Sequence, residues 1–331
     1  MWPNTFLTLL LGLALVTASA ALVTPRQTEG APWLVIDSDF PDPSFVQAPD
    51  GSWYAFGTNG NDRRVQVAVS QDFRTWDLLD IEALPQLAPW ETAIDHWAPD
   101  VILRPDGRYV MYYSGEAQSR VGHHCVGVAV SEDTDPRGPY IPNPEPLSCR
   151  LPQGGSIDPS GFLDADGSRY VVFKVDGNSI GNGGDCNNGI APLVPTPILL
   201  QEVSAIDGFT PIGDAVEILD RSTEDNDGPL VEAPNLILVG ATYFLFYSTH
   251  CFTDELYDVR YATATSIRGP YVKSDERLLQ TGDFGLTSPG GGTVCGCGDR
   301  MLFHGFCQEG VRCTYAANLQ IDEQAGSVGF V

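Results

Sequence analysis

Three acidic residues stand beside prolines at the start of apolar runs: Asp42 in "FPDPSFV", Asp158 in "SIDPSGF" and Glu232 in "VEAPNLI". Asp42 is held between Pro41 and Pro43, so the backbone around it is stiff. A turn would use such an acid, and so would a catalytic site. Carboxyl groups that converge can share the work of splitting a glycosidic bond. One stays protonated and donates to the leaving oxygen, while another stays ionised and activates water. A third carboxylate nearby helps the acid keep its proton, because like charges raise each other's pKa. Whether these three converge depends on the elements that carry them.

Those elements repeat. "DPSFVQAPDGSWYAFGT" from 42, "APDVILRPDGRYVMYYSG" from 98 and "DPSGFLDADGSRYVVFK" from 158 share a proline, an apolar run, an Asp-Gly turn and an aromatic-rich run. "APNLILVGATYFLFYST" from 233 and, more weakly, "SPGGGTVCGCGDRMLFHG" from 288 continue the series. Asp-Gly between β-type runs is a strong hairpin signal. The anchoring prolines, Pro43, Pro99, Pro159, Pro234 and Pro289, are 56, 60, 75 and 55 residues apart. Further β-type pieces such as "VQVAVSQDFRTW" and "VGVAVSEDTDPRGPY" follow the hairpins. Helical periodicity is nearly absent. Four strands repeated five times predict an all-β fold, a five-bladed β-propeller in a single domain. A double sandwich or a solenoid would not call for five matching hairpins. In a propeller the inner strand of each blade runs along the axis, so acids at equivalent strand starts meet at one axial mouth.

Composition agrees. Glycine (35) and proline (25) make up about 18 per cent of the chain, against an average of about 12 per cent, which favours turns and short strands. The formal charge is −25, with 43 acids against 18 bases. That excludes nucleic acid as a partner, since phosphate binding needs a basic patch, and disfavours polyanionic substrates. "FLTLLLGLALV" followed by Ala18-Ser19-Ala20 reads as a signal peptide over residues 1–20. Residues 21–32 form an N-terminal segment, and 33–331 the propeller. No later run is long and apolar enough for a membrane anchor. Eight cysteines in a secreted chain predict disulfides. The spacing of the last four does not suit zinc.

The blocks "FPDPSFV", "HWAPDVI", "GSIDPSGFLDADGSRY" and "VEAPNLILVGATYFLFYS", with "VSQDFRTW" after the first hairpin, resemble the signature blocks of glycoside hydrolase family 43 over nearly all of residues 33 to 320. The resemblance implies a five-bladed propeller that hydrolyses α-L-arabinofuranosyl or β-D-xylosyl linkages with inversion, a minority of members acting on galactan. It places the general base on Asp42, the residue that tunes the acid on Asp158, and the general acid on Glu232. Inversion implies about 6.5–9.5 Å between acid and base. His304 matches a histidine that in several members helps hold calcium or another cation near the axis; a core histidine is the other reading. Arg312 resembles an arginine that reaches the substrate. Where the family has E-G-P and P-G-H, this chain has Ala233 and a Gly-rich "SPGGGTV".

Trp97 is placed to stack on a sugar, and Asp100 to take a subsite or a structural role. Asp37 and Asp39 read as loop acids, and Glu224, Asp225 and Asp227 as a solvated loop. The least patterned stretch, 178–197, reads as a loop at the binding face, stapled by Cys186. Taken together, these readings predict a secreted, monomeric hydrolase of neutral pentose-containing polysaccharide in arabinan or arabinoxylan. Its first expected activity is α-L-arabinofuranosidase, with β-D-xylosidase, a galactan-active hydrolase and a non-catalytic carbohydrate-binding propeller as alternatives. It requires no cofactor, beyond a possible structural calcium.

Overall fold

In the strand Arg169–Val175, Tyr170 and Val172 pack to one side and Val171, Phe173 and Val175 to the other, and all are buried. A strand alternates its side chains between the two faces of its sheet, so this sheet must be covered on both. That is the environment of a propeller blade. The structure, a computed structural model, describes residues 1–2 and 30–331. The predicted signal peptide falls, apart from Met1 and Trp2, outside the described residues.

Four antiparallel sheets of four strands follow one another along the chain. Blade 1 comprises Ser44–Gln47, Trp53–Gly57, Gln66–Ser70 and Asp77–Leu78. Blade 2 comprises Trp97–Leu103, Tyr109–Glu116, His124–Ser131 and Tyr140–Pro142. Blade 3 is Ser156–Leu163, Arg169–Val175, Ile198–Val203 and Val216–Leu219, and blade 4 is Val231–Val239, Thr242–Thr249, Asp258–Ala264 and Val272–Lys273. Blade 5 joins the two ends of the chain. Gly290–Val294, Arg300–Gln308 and Val311–Asp322 come from the C-terminal part, and Trp33–Ile36 pairs antiparallel with Val311–Asp322. Ser327–Phe330 adds a further pairing to that same strand. The fold is the expected five-bladed propeller. The closure by Trp33–Ile36 has no signature in the repeats.

Five clusters of buried apolar residues occupy the five blade junctions. Phe56 and Tyr113 lie between blades 1 and 2, and Tyr112 and Phe173 between blades 2 and 3. Val172 and Tyr247 lie between blades 3 and 4, and Phe246 and Phe303 between blades 4 and 5. Trp53 and Leu302 lie between blades 1 and 5. Each sheet therefore buries both faces against its neighbours, which supplies the driving force for radial closure. The Asp-Gly turns form as expected, with Gly51, Gly107 and Gly167 at φ of 92°, 83° and 89°. Such values suit glycine.

The strand starts share one irregular feature. The residue before each anchoring proline has a left-handed backbone: Asp42 (φ 54°), Ala98 (42°), Asp158 (53°), Ala233 (50°) and Ser288 (47°). Non-glycine residues rarely adopt this region, and a following proline disfavours it further. Register shifts accompany it between Trp97 and Asp100, Ile157 and Ser160, Glu232 and Asn235, and Gly290 and Thr293. Bulges of this kind re-aim side chains at functional sites.

The eight cysteines form four disulfides, Cys125–Cys149, Cys186–Cys251, Cys295–Cys297 and Cys307–Cys313. The segment 221–228 corrects the expectation of a solvated loop at one residue: Glu224 and Asp225 are exposed, but Asp227 is not. Asp227 is fully buried and pairs with Arg260 (3.2 Å) and Lys273 (2.5 Å). Arg260 also donates to the backbone oxygens of Asp225 and Asn226. Two cations that lie elsewhere in sequence pull the loop inward, and nothing local announces them.

Candidate active site

The left-handed residues at the starts of the first and third inner strands, joined in the third by a bulge, bring Asp42 and Asp158 to the same end of the axis. Both line a narrow waist of about 30 Å³, together with Ser44, Asp100 and Ser160, enough for a water molecule or two. Glu232 is not their repeat equivalent. That position belongs to Ala233, whose backbone N–H donates to Asp158 Oδ2 at 3.0 Å. Glu232 stands one residue earlier, in the register that Trp97 takes in blade 2. The site thus uses two adjacent positions of the repeat.

Asp42 is held through both carboxylate oxygens. Thr58 Oγ1 donates to Oδ2 at 2.6 Å, and Arg312 Nη1 donates to Oδ1 at 3.2 Å. Burial pushes the Asp42 carboxyl up, but the Arg312 guanidinium and the Thr58 hydroxyl outweigh it and hold the group well below the usual carboxylate range. Asp42 is therefore ionised at neutral pH. Arg312 is itself positioned. Its backbone N–H donates to Asp39 Oδ1 (3.1 Å), and its guanidinium lies over the Phe252 ring at 4.8 Å. Asp39, read from sequence as a loop acid, thus supports the site.

Asp158 is the opposite case. Its own N–H donates to Ser114 Oγ at 3.0 Å. Burial, then the nearby Glu232 carboxylate, push Asp158 up to about 8, against the lowering influence of Lys174. A proton therefore stays on Asp158 in neutral solution, beside the Glu232 carboxyl.

Glu232 accepts from Tyr257 Oη at 2.8 Å and from Lys174 Nζ at 3.0 Å. Lys174 is buried and also lies 3.4 Å from Asp176. Burial pushes the Lys174 ammonium down, but Glu232, Asp176 and Asp158 outweigh it and hold the proton firmly. Sequence reasoning missed Lys174, Tyr257 and Thr58. Lys174 left a signal: in "RYVVFKV" it falls on the strand face of Tyr170 and Val172, which is core. A lysine there needs buried acids. Tyr257 and Thr58 left none.

His304 is fully buried. Its ring stacks on Tyr257 (centroids 5.8 Å, planes 10°), and Nδ1 lies 3.0 Å from the Asp42 backbone nitrogen and 3.3 Å from Asp42 Oδ1. Burial pushes its pKa down, so the ring is neutral. With Nδ1 accepting the Asp42 N–H, the ring proton sits on Nε2, which is buried without a hydrogen-bond partner among the described residues. Calcium takes six to eight oxygen ligands, whereas Nε2 in this tautomer is a donor. Among the described residues no group of three or more ligating side chains includes His304. Among the described residues, side chains alone do not form a calcium cage around His304. The Gly-rich fifth block follows from the same histidine. Gly291 has φ 58°, and a Cβ there would lie 2.8 Å from the His304 ring.

Trp97 is half-buried and stacks on His124 at 3.7 Å between centroids. Burial pushes His124 down to about 4, so the ring beneath the tryptophan is uncharged. Asp100 sits lower, in the waist, where Oδ2 accepts the Gly161 N–H at 2.6 Å and burial pushes its carboxyl up to about 6. It ties blade 2 to blade 3 beneath the mouth.

The site therefore offers an ionised carboxylate, Asp42, beside Arg312, and a protonated carboxyl, Asp158, with Glu232 and its partner Lys174 close by. That arrangement can activate water and protonate a leaving group across one cleft. Known proteins with related sequences include xylosidase/arabinosidase 43A of Humicola insolens, 31% identical over 150 residues, covering 40% of this chain and 42% of that one. Another is extracellular endo-α-(1→5)-L-arabinanase 1 of Bacillus subtilis (strain 168), 26% identical over 300 residues, 86% of this chain and 81% of that one. The chain thus spans less than half the length of the Humicola relative. Among solved structures, a thermostable family-43 glycoside hydrolase superposes with a TM-score of 0.75 at 24% identity, covering 92% of this chain and 96% of that one. The native Bacillus subtilis arabinanase Arb43A does so with a TM-score of 0.68 at 22% identity, covering 91% and 100%. These two likenesses establish the fold. The model of glycosyl hydrolases family 43 matches residues 33–319, and the chain belongs to that family of glycoside hydrolases.

Proposed function

We propose that this hydrolase is secreted and releases α-L-arabinofuranosyl units from arabinan or arabinoxylan of the plant cell wall, with inversion. The observation that carries the reading is the opposed protonation of the axial carboxyls: Asp42 is held ionised by Arg312, while Asp158, facing Glu232, keeps a proton. In this scheme a water between Asp42 and the sugar attacks the anomeric carbon. A bond forms from the water oxygen to that carbon as the bond to the leaving oxygen breaks. Asp42 takes the water's proton, and Glu232 passes a proton drawn from Asp158 to the leaving oxygen. Asp158 keeps that proton available and, through the Ala233 N–H, fixes the backbone beside Glu232. Arg312 and Trp97 line the mouth for the sugar, and Asp100 braces its floor. The scheme routes no step through a metal.

Arabinan- and xylan-directed names among the relatives support the substrate class, and the extracellular relatives together with four disulfides support secretion. β-D-Xylosidase is the second reading, since two of the relatives are named for both sugars. The test assays mature protein beside Glu232→Gln on aryl α-L-arabinofuranoside, aryl β-D-xyloside, arabinan and arabinoxylan. Cleavage of the arabinofuranoside, with kcat lowered roughly 10²–10⁴-fold in a variant that keeps its circular-dichroism spectrum, is expected. Equal rates in both proteins would remove Glu232 from the acid's role. Cleavage of the xyloside alone would shift the substrate to the second reading.

A further inference from the structure

The face that bears the carboxylates has a second concavity, of about 320 Å³, between blades 3 and 4. That volume lies within the range of about 300–1,000 Å³ usual for small-molecule sites. Its walls come from the unpatterned segment 178–197, the approach to blade 4 at 221–229, and the loop 250–257. Each wall is pinned. Cys186–Cys251 ties the first to the third. The buried Asp227 ion pairs hold the second, and the His250 N–H donates to the Asp227 backbone oxygen at 3.0 Å.

Three polar groups in these walls have capacity left over. Arg221 spends Nε on the Gly228 carbonyl (2.9 Å), and among the described residues no carboxylate lies within ion-pairing distance of its guanidinium. Thr249 gives its one hydroxyl hydrogen to Asp258 Oδ1 (2.7 Å), so the 2.8 Å contact with His250 must be donated by the imidazole Nδ1. In the neutral ring Nε2 is then a bare acceptor, and no donor of the described residues reaches it. Asp254 accepts the Leu256 N–H through Oδ1 (2.8 Å), leaving Oδ2. Leu193 and Leu256 supply apolar surface beside them. Donors and acceptors over an apolar floor match sugar hydroxyls and ring carbons. An anion would meet Asp254 and a chain of net charge −25.

We propose that this concavity is an accessory subsite that holds one neutral sugar residue of the polysaccharide while another is cleaved at Asp42 and Glu232. The substrate class rests on the function proposed above; the binding claim does not. One loop couples the two places: Phe252 lies under Arg312 and Tyr257 holds Glu232, while His250 and Asp254 line the concavity. The subsite gives the enzyme a preference for polymer over small glycosides.

The test uses Arg221→Ala and, because that change also frees the Gly228 carbonyl, Leu256→Arg, which fills the mouth from an exposed position. Binding of arabino- and xylo-oligosaccharides is measured by titration calorimetry in a Glu232→Gln background, and hydrolysis of aryl glycoside and polymer in the active protein. Expected are affinity for oligosaccharide down about tenfold in both variants, a raised KM for polymer, and unchanged kcat/KM on aryl glycoside. Unchanged oligosaccharide affinity in both variants overturns the subsite, as does competition for Arg221 by inorganic phosphate but not by sugar. If aryl glycosides are hydrolysed and the Glu232→Gln protein binds no oligosaccharide, the subsite falls and the hydrolase reading stands. If nothing is hydrolysed but both variants lose oligosaccharide binding, the reverse holds.

Discussion

The strand Arg169–Val175 carries a buried cation at each end, and the two have opposite surroundings. At the upper end Lys174 meets Glu232 and Asp176. At the lower end Arg169 donates to the Leu103 carbonyl at 3.0 Å, and its Nη1 is buried without a partner among the described residues. The cavities reverse the order. Around Arg169 the axis widens to about 560 Å³, lined by Phe45, Trp53, Ile102, Phe162 and Leu236, whereas the waist beneath the carboxylates holds about 30 Å³. A search by size would choose the lower end. The chemistry is at the upper end because the bulges there aim carboxylates at one another, and desolvation then sets their protonation. Volume says where a ligand could sit, and charge placement says where a bond could break.

The largest expected effect in this comparison is that of Lys174→Met. It leaves Glu232 and Asp176 buried without their cation, which costs about 3–5 kcal/mol, read as a lower urea midpoint. The Lys174 ammonium lowers the proton affinity of Asp158. Its loss raises that affinity, so the alkaline limb of kcat/KM moves to higher pH. An unmoved limb would mean that Lys174 is only structural.

A smaller effect concerns pH and stability. Asp158 is raised from its ordinary value of 3.8 to about 8. Between these values the folded chain holds a proton that the unfolded chain has lost, so stability is greatest below about 4 on this account and falls as pH rises toward 8. Asp42 acts in the other direction, its contribution being lost only as pH drops below the ordinary carboxylate range. The urea midpoint of the wild type should decline from pH 5 to pH 8, and the decline should flatten in Asp158→Asn. Parallel profiles would remove Asp158 as the proton holder. The smallest effect is that of Arg169→Met, which removes a buried charge that has no counter-ion among the described residues. Stability should hold or rise, and activity should stay within about twofold. A large loss of activity would bring the lower cavity into the function.

Much of the site was legible because the repeat is backbone-encoded. Asp42 and Asp158 stand before repeat prolines, and hairpin signals with matched prolines imply blades whose inner strands meet. Glu232 was legible as an acid beside a repeat proline, but its true register, shared with Trp97, depends on the bulge at Ala233. The support shell was not legible. Thr58 and Tyr257 reach the carboxylates, and Asp39 the Arg312 backbone, from other strands and loops, and no local pattern marks a hydroxyl or a ring that will face an axis. At 224–227 Asp227 misled for the same reason: it looks solvated, as its exposed neighbours Glu224 and Asp225 are, until Arg260 and Lys273 arrive from blade 4.

The sequence by itself determined the repeat, the five blades, the two-sided burial of their strands and the three candidate carboxyls, because these follow from alternation, turn chemistry and proline position along the chain. Only the tertiary structure decided which carboxyl is ionised and which keeps its proton, that Trp33–Ile36 completes the fifth blade, and that a buried lysine stands beside the acid. Protonation depends on distance and desolvation, and residues as far apart as Asp42 and Arg312 share neither until the ring closes.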